Sequence, residues 1–191
     1  MKKIRLIESI VILVMVLALL TTGIFAWIIA RFASEPIIFT SGSIKMEASF
    51  YQANDANLDG ILDGGYTQIT TGGLPLDDLM PGQTYTFRLV IVNQSTTDGH
   101  LTVTLKDIIP TNVTLYNLLT LNYINPITTS PASMALDTAN ETVFTNYELT
   151  FGETLTFDFT IYVEPTINNT LHNESIEIGY IEIRLDQIVN P

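Results

Sequence analysis

The segment from Asp55 to Asp63 carries oxygen-bearing side chains at the spacing of a calcium-binding loop. Asp55, Asn57 and Asp59 stand at positions 1, 3 and 5 of such a loop. The carbonyl of Ile61 and the side chain of Asp63 stand at positions 7 and 9. A glycine at position 6 permits the sharp turn, but position 12 is a tyrosine instead of the usual bidentate glutamate. We therefore predict a Ca²⁺ site that lacks one standard ligand, with an acidic β-turn as the alternative.

Zinc catalysis is the second metal chemistry to consider for this sequence. A catalytic zinc needs about three protein ligands and an open position. The chain has only two histidines, His100 and His172, and no H-E-x-x-H motif. Together with Glu174 they would supply a minimal set of ligands, but both lie between strand patterns and are expected to be loop residues. No G-x-S-x-G nucleophile motif is present either, and we predict that the chain is not an enzyme.

Asparagine followed two residues later by serine or threonine marks an acceptor site for glycosylation. In an exported protein such sites carry glycans on the surface, and the alternative is that a chain rich in Asn and Thr produces the pattern by composition. The candidate sites are Asn93, Asn112, Asn140, Asn168 and Asn173.

The charge balance excludes one class of partner. The chain has 8 Lys and Arg against 20 Asp and Glu, which gives a formal net charge of −12. A surface this negative repels phosphate backbones, so we predict no nucleic-acid partner. There is no cysteine, so the fold depends on its core and sheets instead of disulfides.

The N-terminus has the features of an export signal. Lys2, Lys3 and Arg5 precede an apolar run, and the small residues at positions 21–23 follow, with Ile24 larger than is usual three residues before a cleavage site at Ala26. We predict that residues 1–26 are a signal peptide removed after Ala26 by signal peptidase. The alternative is a retained membrane anchor, because residues 10–30 carry no charge and are long enough to span a bilayer. Either way, the rest of the chain is expected to be extracellular or on the cell surface.

The remainder of the chain alternates apolar and polar residues, as strands with one buried face do. The clearest runs cover residues 44–50, 85–91, 101–105, 155–163 and 176–185. In the last run the alternation slips by one residue, which predicts a β-bulge beside Gly179. No β-α-β spacing is present, so we predict an all-β domain over residues 41–191, a jelly-roll-like β-sandwich behind an N-terminal apolar helix.

Several short motifs occur in an order typical of one family. An F-x-x-G-x-I-x-M segment spans residues 39–46, and L-x-P-G-Q spans residues 79–83. The second motif leads into a strand ending at Asn93, and the last strand leads to Gln187. This ordered set resembles the TasA/camelysin family of exported biofilm-fibre proteins, which is related to the archaeal bundling pilins.

The resemblance implies a jelly-roll subunit that polymerises with copies of itself into an extracellular fibre, pilus or biofilm matrix. In that family the mature N-terminal segment, here residues 27–40, inserts as a strand into the next subunit. Its apolar residues are Trp27, Ile28, Ile29, Phe32, Ile37, Ile38 and Phe39. An apolar strand without a partner gains hydrogen bonds by completing a neighbour's open sheet edge.

Other interpretations remain open at this stage. Residues 27–40 are alternatively the domain's own first strand, or a stalk above an anchor that presents a surface domain to a partner or glycan. Because camelysin-type members are described as metalloproteases, the resemblance also implies that activity as a further alternative.

Overall fold

The computed structural model describes residues 37–39, 45–70, 73–77, 79–166 and 174–188. The chain divides into two compact units, residues 1–35 and 36–191. The first unit, which contains the predicted signal or anchor helix, lies outside the described residues. Within the described ranges no helix is long and apolar enough to cross a membrane.

The described part of the second unit is built from strands, with one short 3₁₀ turn at Val113–Leu115. The strands are β1 (Ile37–Phe39), β2 (Met46–Ala53), β3 (Tyr66–Ile69), β4 (Leu74–Leu76), β5 (Thr84–Asn93), β6 (Gly99–Pro110), β7 (Leu119–Ile124), β8 (Pro131–Ala135), β9 (Asn140–Leu149), β10 (Thr154–Val163) and β11 (Ile176–Gln187). The all-β prediction is confirmed for this part of the chain.

These strands form two sheets. The first has the order β1-β11-β6-β9, with β4 also paired to β11, and the second has the order β3-β2-β5-β10-β7-β8. Every described pair is antiparallel except β1 with β11. Along the chain, β5 is in the second sheet, β6 in the first, β7 and β8 in the second, β9 in the first, β10 in the second and β11 in the first. The chain thus crosses repeatedly between the sheets, which share one core.

The predicted alternation decides which side chains enter that core. In β5 the inward residues Phe87, Leu89 and Ile91 are fully buried, while the residues between them are partly exposed. The sheets meet where Phe157 of the second sheet lies edge-on to Phe144 of the first, with ring centroids 5.1 Å apart. Burying one aromatic side chain of this kind stabilises the fold by roughly 1.5–3 kcal/mol.

The slip predicted near Gly179 is present, but a bulge in one strand is the wrong explanation. In β11 the buried positions change from Ile178 to Ile181, and in β6 they change from Leu105 to Ile108. The register between the strands is the same on both sides of this point. Both strands therefore slip together. Asp107 takes a left-handed φ of 52°, opposite Gly179.

Gly179 is expected to be required at this position because the two backbones approach closely. A Cβ on residue 179 would lie 2.8 Å from the Cβ of Asp107. We expect Gly179→Ala to lower the free energy of unfolding by about 1–3 kcal/mol, as overpacking does, measured by urea denaturation. The matched control is Gly65→Ala, where an added Cβ meets nothing within 4 Å. Equal stability of the two variants would contradict this account.

Candidate functional site

The end of the predicted polymerisation strand pairs within its own chain in this structure. Residues 37, 38 and 39 in β1 lie parallel to residues 181, 182 and 183 of β11. They belong to the second compact unit, whereas we assigned them to the N-terminal segment from sequence. The other residues predicted for this strand, Trp27, Ile28, Ile29 and Phe32, lie outside the described residues.

The side of β11 that faces away from β6 is covered by two short strands. β4 pairs with Ile176–Ile178, and β1 pairs with residues 181–183. Leu74 and Leu76 of β4 are buried in the core, so β4 is anchored by its side chains. Both strands are short, and each pairs with β11 over three residues.

The Asp-rich loop follows β2 and is closed by its own side chains. Asp55 Oδ2 accepts a hydrogen bond from the Gly60 amide at 2.8 Å, and Gly60 has a φ of 86°. The Leu58 carbonyl accepts from the Thr84 amide at 2.7 Å, which ties the loop to β5. Asp55 Oδ1 is buried and has no hydrogen-bond partner in the described structure. One oxygen of the predicted set is therefore free.

The remaining predicted ligands are partly occupied within the loop. Asp59 accepts from the Ile61 amide at 2.8 Å and from Asn57 Nδ2 at 3.0 Å. Asp63 Oδ2 accepts from the Ala56 amide at 2.9 Å. Among the described residues no three acidic or histidine side chains gather at a common point. The loop has the backbone turn and one free oxygen that a Ca²⁺ site needs, but its carboxylates do not converge.

One predicted glycosylation site is wrong for the folded domain. Asn93 is fully buried, and its Nδ2 donates to the carbonyls of Thr97 and Leu149, both at 3.0 Å. A glycan on this nitrogen would replace one of the two N–H donors and would have to enter a fully buried site. Its Oδ1 accepts from the amide of Ser95, the serine of the same motif, at 3.0 Å.

Two of the other glycosylation candidates lie in the described structure. Asn140 is exposed, and Asn112 is half-buried beside the 3₁₀ turn, where its Oδ1 accepts from the Thr114 amide. These two stay predictions. Asn168 and Asn173 lie outside the described residues.

One of the two histidines lies in the described structure. His100 is on β6, in register with Asp186 of β11 and Glu148 of β9, so it is a strand residue and not the loop residue that we predicted. Its Nδ1 is buried without a hydrogen-bond partner. His172 lies outside the described residues, so the zinc set of the metalloprotease alternative stays a prediction.

A cluster that the sequence did not indicate lies on the outer face of the second sheet. Arg88 of β5 makes a bidentate ion pair with Asp158 of β10, with both N–O distances 2.7 Å. The guanidinium also lies over the ring of Tyr66, 4.2 Å from its centroid. The hydrogen bonds that Arg88 donates to the Asp158 carboxylate raise the pKa of Arg88 above its ordinary value. Alternation predicts that Arg88 and Asp158 lie on the polar face of their strands. It does not predict that they pair, because they are 70 positions apart in the sequence.

No protein-family model matches this chain, and no curated protein matches it. Among solved structures, Spo0M, a sporulation control protein from Bacillus subtilis, is 12% identical with a TM-score of 0.28. The match covers 77% of this chain and 49% of Spo0M, so the chain spans about half the length of that protein.

Two other solved structures are similarly distant. TmCBM61 in complex with β-1,4-galactotriose is 5% identical with a TM-score of 0.30, and the match covers 74% of this chain and 88% of that one. A β-glucosidase from Kluyveromyces marxianus in complex with glucose is 11% identical with a TM-score of 0.29, over 76% of this chain and 17% of the other. These likenesses are too distant to indicate a family or a function.

Proposed function

We propose that this protein is a structural subunit of an extracellular fibre, pilus or biofilm matrix, whose copies link by exchanging the N-terminal strand. The observation that carries the proposal is the parallel pairing of β1 with β11. It identifies the edge at which the end of this strand docks. In the fibre, the same pairing would form between β1 of one copy and β11 of the next.

The exchange is inexpensive in free energy because both arrangements make the same hydrogen bonds. A three-residue ladder in the same chain is easily replaced by an identical ladder from another copy. The residues before it add a reason to favour the second copy. Trp27, Ile28, Ile29 and Phe32 are large and apolar, and each contributes roughly 1.5–3 kcal/mol when buried. A docked neighbour offers more sheet edge on which to bury them.

The geometry of such a link leads to a filament. The donor strand and the acceptor edge are different surfaces of one copy, so the contact is heterologous and repeats without closing. The net charge of −12 opposes the approach of copies. Because salt screens repulsion between exposed charges, assembly is expected to be faster at higher ionic strength.

Two further features belong to the same proposal. The jelly-roll description is supported by the repeated crossing of the chain between the two sheets from β5 to β11, where β7 and β8 alone follow one another in the same sheet. Export is supported by the basic residues and apolar run of the predicted leader. The same leader is the segment that we expect the membrane and signal peptidase to bind.

Cysteine trapping tests the exchange directly, because the chain has no cysteine of its own. Residues 38 and 182 are register partners, and paired strands place their Cα atoms about 4.8 Å apart, within disulfide range. We expect the double variant Ile38→Cys, Glu182→Cys to give a ladder of covalent oligomers on non-reducing gels after assembly and mild oxidation. Negative-stain images of the same sample are expected to show filaments.

The control for random collisions is Ile38→Cys combined with Thr156→Cys, since Thr156 is exposed on the other sheet. It is expected to give no ladder. A single cross-linked monomer band from the first variant, with no oligomers at any salt concentration, would show that β1 stays in its own chain and would refute the exchange.

We also propose that the Asp-rich loop binds Ca²⁺ and that the ion stabilises the exported domain. The support is the free, buried Oδ1 of Asp55 and the left-handed turn at Gly60. Binding would require the side chains of Asp59 and Asp63 to turn from the loop amides toward the ion.

Thermal unfolding tests the Ca²⁺ proposal. At a Ca²⁺ concentration 100 times the Kd, we expect about 2.7 kcal/mol of added stability and a Tm several degrees above that in chelator. Asp59→Ala is expected to abolish the difference. Asp137→Ala, which removes an exposed carboxylate elsewhere, is expected to keep it. Superimposable melts of the parent protein with Ca²⁺ and with chelator would refute the proposal.

A further inference from the structure

A groove crosses the outer face of the second sheet, away from β1 and the Asp-rich loop. Its volume is about 440 Å³, within the range of small-ligand sites. Register places Thr86, Thr160, Asn122 and Ser133 side by side on four neighbouring strands, and all four line the groove. With strands about 4.8 Å apart, this polar row is roughly 14 Å long. We call it the Thr86 groove.

Thr86 has a buried hydroxyl that a ligand in the groove would satisfy. It lies on the outward face of β5, yet its side chain is only 8% exposed. Its Oγ1 is buried and has no hydrogen-bond partner among the described residues. A buried hydroxyl without a partner destabilises a fold, and a valine of the same shape would avoid the penalty. Rotation about χ1 to another staggered position would move the oxygen away from this buried site, and a ligand in the groove would give it a partner.

The rest of the row also offers hydrogen bonds. Asn122 Nδ2 has only a long contact of 3.5 Å to the Thr120 carbonyl, which is marginal for a hydrogen bond. Ser133 is exposed and Thr160 is half-exposed. Thr160, Ser133 and Asn122 therefore present two hydroxyls and an amide, groups that donate and accept, and the buried hydroxyl of Thr86 lies at the end of the same row.

A second row on the same face supplies apolar surface and no net charge. Ile124 is 55% exposed and lies beside Pro131, and both line the groove. The carboxylate of Asp158 also lines it, but both oxygens of that group accept from Arg88. A cation thus finds no free carboxylate there, and the overall charge of −12 repels an anion.

We propose that the Thr86 groove binds a neutral saccharide. Ring hydroxyls of such a ligand donate and accept as the polar row requires, and its C–H face would lie on Ile124 and Pro131. The length of the row matches a ligand larger than one ring. This proposal is independent of fibre assembly, because the groove does not include β1 or the edge of β11.

Saturation-transfer difference NMR on the full chain tests the site, because it observes the ligand whether the protein is monomeric or polymeric. The probes are cellobiose, lactose, maltose and di-N-acetylchitobiose, with cyclohexanol as an apolar ring of similar width. We expect transfer to at least one disaccharide. Thr86→Val is expected to weaken that binding about tenfold, and its Tm is expected to equal or exceed that of the parent.

Two further variants keep the test decisive. Ser133→Ala removes an exposed hydroxyl from the row without risk to the core and is expected to weaken binding as well. Thr156→Val, on the same face of β10 but outside the groove, is expected to change nothing. The proposal is overturned if no disaccharide receives transfer, if both row variants bind as the parent does, or if only cyclohexanol binds.

Discussion

The edge-on contact between Phe144 and Phe157 is the point on which the two sheets depend. Phe157 also stacks against Phe159, and the row of rings continues through Phe87 to Phe50, with neighbouring centroids 5.4 to 5.7 Å apart. These rings fix which face of each strand in the second sheet is inward. Once that face is fixed, period-two geometry leaves Thr86, Arg88 and their neighbours on the outside. The location of the polar row is therefore a consequence of the core.

The strands that could be predicted from the sequence are those with a long run of alternating apolar and polar residues. β5 and β10 alternate over ten residues each, and both were predicted. Residues 112–122 show no single period, because a 3₁₀ turn and the start of β7 share this segment. β9 was missed because its buried Val143 and Phe144 are adjacent where its register with β6 shifts. Pairings such as Arg88 with Asp158, and the burial of Asn93, depend on tertiary contacts and have no local pattern.

The two proposals concern different sheets of one domain, and this separation has a functional meaning. The strand-exchange edge belongs to β11 in the first sheet, whereas the groove lies on the outer face of the second. Copies linked through the edge would each keep an open groove. A filament would then present many weak saccharide sites along its length, and such repetition strengthens attachment without any new contact. A fibre of this kind would serve as a scaffold that also holds matrix glycans.

The joint slip of β6 and β11 at Asp107 and Gly179 bears on how this chain can change over generations. Because the two strands slip together, their register beyond the irregularity is intact. Loss or gain of one residue in either strand alone would move the following buried side chains to the solvent-exposed face of the sheet. Length changes here are therefore expected to arrive as matched pairs in related genes, one in each strand.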